Sequence, residues 1–291
     1  MDSGKTEAQA IQNEIQRYLL TGETDGLRSA WSGDWQERFR RGHADLRGAL
    51  VGEIKRRASG RKHVPVPDVA GPALTRAKVE AMVRGLFPRS EHHAVLSAVE
   101  RSVVFVTSAN IDWVLNEQRF DHSAWTIANL YLACVGADLL NEDAPLLVGM
   151  SQETTCYVSP QYFAEDDPFA DFVIHEVAHI FHNCKRATVG LRHTRTRQWL
   201  LDIEFRKRET FAYSCEAYAR VLDRAQTRAE RRAFAEEYGR KERIAADGVD
   251  PSEVASILKA AVEVRNGWKI ILTRCAPPRC RDADPDTDGG P

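Results

Sequence analysis

One apolar segment constrains this 291-residue chain more than any other. Residues 169–184 contain His175-Glu176-Val177-Ala178-His179. Around that pentapeptide, Phe169, Phe172, Val173, Val177, Ile180, Phe181 and Cys184 recur at the spacing of an apolar helix face. Asp167 is a natural N-cap and Pro168 suits a first helical position, so the spacing predicts a helix over 169–184. Residues i and i+4 lie one above the other on a helix, so His175 and His179 aim two imidazoles at one point. Glu176 sits about 100° further round, within reach of a water held by a metal at that point. A helix buried only for packing has little reason to carry two imidazoles and a carboxylate at this spacing.

A catalytic zinc takes three protein ligands and keeps a fourth position for water. The extension H-E-x-x-H-x-x-G-x-x-H is absent, because His182 occupies its glycine position and Lys185 its last histidine position. The third ligand must then come from elsewhere. Residues 198–222 contain no Gly or Pro and are predicted to form one long helix. Glu209 and Glu216 lie seven residues apart on one face of it, with the small Ala212 between them. Phe211, Cys215, Tyr218 and Leu222 form the adjacent apolar stripe, and Asp202 falls on the glutamate face.

At these residues the chain resembles the gluzincin class of zinc metallopeptidases, in which H-E-x-x-H is followed on a later helix by a ligand Glu, often as E-x-x-A. Glu209-Thr-Phe-Ala212 and Glu216-Ala-Tyr-Ala219 both fit that pattern. The first is similar to the E-x-F-A form of the lethal-factor-like branch. It is also similar to the E-x-x-A of metallopeptidases from phage-repressor and radiation-response systems. The resemblance covers about residues 165–225. It implies one Zn2+ per chain held by His175, His179 and Glu209, with Glu216 as the alternative third ligand. It also implies Glu176 as general base for a zinc-bound water, and a protein or peptide substrate cut by an endopeptidase rather than an exopeptidase. Whichever glutamate is not the ligand would hydrogen-bond a ligand histidine. Tyr213, Tyr218, His182 and His193 are candidate donors to the developing oxyanion. The rival expectation is a non-catalytic regulatory or protein-interaction scaffold that keeps the zinc; the intact Glu176 argues against it.

Composition narrows the setting. A net charge of −2 gives no global attraction to nucleic acid or anionic membrane, so neither is expected as a partner. The clusters Arg56-Arg57, Arg61-Lys62, Lys185-Arg186 and those over 192–197 read as solvated faces. No apolar run reaches the roughly 18 residues that span a bilayer; the longest, over 125–140, is interrupted by Asn129. With no signal peptide visible, the chain reads as cytoplasmic, and signal-independent export stays open. Cys134, Cys156, Cys184 and Cys215 sit singly in apolar stretches as small buried hydrophobes, whereas Cys275 and Cys280 read as unpaired thiols in a tail.

The expected fold class is α+β and mostly helical, a zincin-like core with a small mixed sheet and a helical N-terminal region. The expected organisation is helices over 1–58, a Pro- and Gly-rich linker over 59–73, a catalytic domain over 74–273 and a disordered tail over 274–291. Strands are predicted over 102–107, 145–150 and 154–158, the last two as a hairpin just before the motif helix. In zincin folds such a sheet pairs its edge with an extended peptide. Helices are predicted over 110–116, 122–140, 228–244 and 252–264.

Overall fold

A computed structural model of the chain describes residues 3–68, 71–195, 197–240 and 248–278. In chain order the elements are helices α1 (Ser3–Thr21), α2 (Trp35–Ala58), α3 (Pro72–Leu86) and α4 (His92–Val99), strand β1 (Val103–Phe105), and helices α5 (Ile111–Asn116) and α6 (Asp121–Cys134). Strands β2 (Gly149–Gln152) and β3 (Thr155–Val158) follow, then helices α7 (Phe172–Asn183), α8 (Arg208–Arg224), α9 (Arg228–Arg240), α10 (Pro251–Val262) and α11 (Gly267–Cys275). The protein is mostly helical with one small mixed sheet, the α+β class expected from the sequence. No helix among the described residues is long and apolar enough to cross a membrane.

These elements fall into two compact units. The first joins Met1–Thr75 to Glu100–Asp167 and the second joins Arg76–Val99 to Pro168–Pro291. This division differs from the expected boundaries: the N-terminal helices do not stand apart. Tyr18 of α1 and Leu46, Leu50 and Ile54 of α2 share one apolar core with Val114, Leu115, Ile127 and Leu130 of α5 and α6. Ile11, Ile15 and Leu19 of α1 pack against that core.

The sheet belongs to the first unit. Its order is β1-β3-β2, with β1 parallel and β2 antiparallel to the central β3. The predicted hairpin forms, but β2 begins at Gly149 and turns through Glu153 in the left-handed region, at φ 47°. Helix α6 stops at Cys134 rather than continuing to 140, because Gly136 takes φ 64° and turns the chain back. Asn129, which broke the apolar run in the sequence, is buried and holds this return by accepting from the Leu140 N–H at 2.8 Å.

The second unit carries the motif. Helix α7 starts four residues later than the Asp167-Pro168 signal implies. Its N-cap is Asp171, whose side chain accepts from the Ile174 N–H, and Phe169 packs outside the helix against Phe234 and Tyr238 of α9. Helix α8 begins at Arg208 rather than 198. Residues 198–204 are not helical, because the Leu200 and Leu201 N–H groups donate to the Cys184 and Phe181 carbonyls at the C-terminal end of α7. Asp202 is therefore exposed and off α8, not on the face that carries Glu209 and Glu216. Arg186 is no solvated cation either. It is buried, forks onto Glu91 at 2.6 and 3.1 Å, and donates from Nε to the Arg192 carbonyl. Cys275 is buried at the end of α11 and not in a tail, and burial pushes its thiol up to about 12. Cys280 and most of the expected tail lie outside the described residues.

Tyr218 and Trp268 lock α8 to α11. The rings meet edge to face at 4.8 Å, and the Gly267 N–H donates to the Tyr218 hydroxyl. Trp268 in turn lies flat on Gly85 of α3, where an added Cβ would come within 2.0 Å of the indole. Gly85→Ala is therefore expected to destabilise the fold by about 1–3 kcal/mol through overpacking. Thermal or denaturant unfolding of the variant checks this.

Candidate metal centre

His175 and His179 leave α7 one turn apart, and Glu209 enters from the first turn of α8. The close approach of the two helices rests on Ala212, Phe211 and Cys215, each fully buried. Val221 rather than Leu222 completes that stripe. Ligand-capable atoms of His175, His179 and Glu209 all lie within 4.8 Å of one another.

The distances test whether a metal fits. His175 Nε2 and His179 Nε2 are 3.2 Å apart, and the nearest Glu209 oxygens lie 3.6 Å from the first and 3.4 Å from the second. A tetrahedral ion with bonds of about 2.0–2.1 Å separates its ligand atoms by about 3.3 Å. The two Nε2 atoms stand at about that spacing, and Glu209 turns one oxygen to each, Oε2 to His175 and Oε1 to His179. Two Nε2 atoms that close share at most one proton, so the pair is suited to sharing a cation.

The far sides of both rings are engaged. His175 Nδ1 lies 3.1 Å from Glu216 Oε2, so it carries the proton and donates. Glu216 Oε1 accepts from the Asp171 N–H at 2.6 Å. His179 Nδ1 lies 3.0 Å from His182 Nε2, and His182 Nδ1 lies 3.1 Å from Asn183 Oδ1. Burial, with His179 and Arg208 beside it, drives His182 down to about 3. His182 is then neutral, donates to Asn183 and accepts from His179. With Nδ1 engaged behind each ring, both histidines turn Nε2 to the same point, the arrangement that partners behind a metal site produce.

This separates the two glutamates by position. Glu209 and Glu216 take opposite nitrogens of one imidazole. Glu216 is buried with both oxygens occupied, whereas the Glu209 side chain is 41% exposed on the Nε2 side. The electrostatics agree. Burial disfavours a charged His175, yet the hydrogen bonds that Glu209 and Glu216 accept from it, with the Glu216 and Glu176 charges, hold it well above its ordinary value. Burial would raise Glu209, but His175 and His179 hold it far below the usual carboxylate range. The centre has a strong demand for positive charge.

Glu176 is buried beside this cluster. The oxyanion candidates separate. The Tyr213 ring lies edge-on to His175 at 4.7 Å and is partly exposed. Tyr218 is committed to Gly267, and His182 to His179 and Asn183. His193 is exposed in the loop after α7. Three supporting residues had no signal in the sequence: Asp171, Asn183 and Lys78, whose Nζ lies 2.8 Å from Asp171 Oδ2. Only the Asp at a helix start was recoverable, and it was assigned to Asp167.

Glu209→Ala is expected to abolish stoichiometric zinc binding. Glu216→Ala is expected to weaken it by about 10–100-fold, the usual effect of removing a partner behind a ligand histidine. Competition with a chromogenic chelator on both variants checks the order.

No family model, curated protein or solved structure matches this chain.

Proposed function

We propose that this chain is a zinc-dependent metallopeptidase of the gluzincin type, cutting peptide bonds within a protein or peptide substrate. The observation that carries the reading is the convergence of His175, His179 and Glu209, whose ligand-capable atoms lie within 4.8 Å of one another. His2Glu is a donor set of catalytic zinc sites, which leave one position open. A zinc ion there would supply the Lewis acidity that acidifies water and polarises a scissile carbonyl.

The chain's own residues do the rest. Glu176 takes the proton of the attacking water on its carboxylate and delivers it to the departing amine. Glu216 holds the His175 ring through Nδ1, and His182 holds the His179 ring likewise. Tyr213, whose ring lies edge-on to His175, would donate to the carbonyl oxygen as charge develops on it. The exposed flank of Glu209 leaves that side of the site open to substrate.

Glu176→Gln keeps the shape of the side chain and removes its basicity. The variant is expected to retain about one zinc per chain, as the wild type would under this reading. Its cleavage of a proteome-derived peptide mixture is expected to fall by about 10²–10⁴-fold. Metal analysis and mass spectrometry of the digests check this. Full activity in the variant sinks the mechanism. A wild-type chain that holds zinc and cuts nothing in the mixture favours a scaffold.

A further inference from the structure

The first unit holds a second polar centre that the proposed hydrolysis does not use. A cleft of about 860 Å³ opens at the N-terminal end of α6, lined by Arg28, Phe39, Arg40, Arg119, Phe120 and Asp121 among others. Two of the lining residues, Arg28 and Asp121, pair, and the Asp121 carboxylate is shared with a second buried guanidinium, Arg47, which is not part of the cleft wall. Arg28 Nη2 pairs with Asp121 Oδ2, and Arg47 Nη2 lies 3.2 Å from Asp121 Oδ1. Both arginine side chains are under a tenth exposed, and each has its Nε and Nη1 buried without a hydrogen-bond partner.

A buried guanidinium with unused N–H groups is a poor structural ion pair. Here two cations face one anion, so one positive charge is uncompensated. At the mouth, Arg40 and Arg119 are exposed, and neither makes an ion pair with a described residue. Glu23 is the one further acid on the wall, and His43 Nδ1 lies 3.4 Å from Asp121 Oδ1. The first-turn N–H groups of α6 add the positive end of a 14-residue helix. Arg28 itself sits at φ 53°, an unusual backbone for a non-glycine residue. It is pinned there by Asp25, whose carboxylate accepts from the Leu27 and Ser29 N–H groups.

The walls add a second preference. The Arg28 guanidinium lies 5.7 Å from the Phe39 ring and that of Arg119 lies 5.4 Å from the Phe120 ring. Phe120 is 60% exposed at the rim. Each cation stands beside an aromatic face, and the cleft is far larger than a bare oxyanion. We infer that this cleft binds a small phosphorylated molecule with a planar ring, its phosphate against Arg28, Arg40 and Arg119 and its ring against Phe39 and Phe120.

The test uses the full chain and three probes: inorganic phosphate, adenosine 5′-monophosphate and adenosine, titrated by calorimetry. The variant is Arg40→Ala with Arg119→Ala, which leaves the buried Arg28–Asp121 pair intact; circular dichroism and zinc content confirm that fold and metal centre are unchanged. The monophosphate is expected to bind the wild type and to weaken at least about tenfold in the variant, with phosphate competing and adenosine silent. Phosphate as tight as the monophosphate overturns the ring preference. Equal binding to wild type and variant overturns the assignment, as does no binding of either anion up to about 10 mM. Because zinc content and peptide cleavage are read separately, failure here is distinct from failure of the peptidase reading.

Discussion

The Glu216 carboxylate is the interaction on which the candidate centre depends. One oxygen accepts from His175 Nδ1, which sets the tautomer and aims Nε2 at the ligand point. The other accepts from the Asp171 N–H, at the residue that caps α7. Asp171 also reaches Lys78 of α3, so one hydrogen-bonded chain runs through α8, the start of α7 and α3. The two donors offset the cost of burying the Glu216 carboxylate, since charge-assisted bonds contribute about 1.5–3 kcal/mol each. Without it, His175 would lose its orientation and α7 a constraint on its first turn at the same moment.

The sequence carried the local part of this arrangement and missed the part set by packing. The spacing of His175, Glu176 and His179 is a property of helix geometry, and the structure retains it. The spacing of Glu209 and Glu216 could not rank them, because seven residues keep both on one face. What separates them is that they meet opposite nitrogens of the same ring, about 10 Å apart along α8. The long helix read over 198–222 failed for a tertiary reason. Nothing in residues 198–204 opposes a helix, but the carbonyls ending α7 capture the Leu200 and Leu201 N–H groups first.

Asp167-Pro168 shows how a correct local signal acquires a different meaning. An Asp-Pro pair before an apolar run is a fair helix start, and it also restricts the residue before proline to extended backbone. Here the chain uses the second property: the boundary between the compact units falls between these two residues. The cap passes to Asp171, whose side chain is within reach of Lys78 and whose N–H is within reach of Glu216. Burial raises the Asp171 carboxyl from its ordinary value, and the neighbouring Glu216 adds to this against the pull of Lys78.

Charge compensation separates structural polar groups from candidate sites. The buried Arg186 is balanced: Glu91 takes its fork and the Arg192 carbonyl takes Nε. Such a pair holds a fold together and asks for nothing else. The two other centres are unbalanced, in opposite senses. In the second unit, Glu209 and Glu216 contact the two imidazoles and Glu176 is buried beside them, while the nearby Lys78 pairs with Asp171 and Asp223, a concentration of carboxylates that a divalent cation would answer. In the first unit, Arg28 and Arg47 share the single Asp121, an excess of positive charge that an anion would answer. Uncompensated buried charge is costly in a packed interior, so each imbalance points to a ligand of the opposite sign.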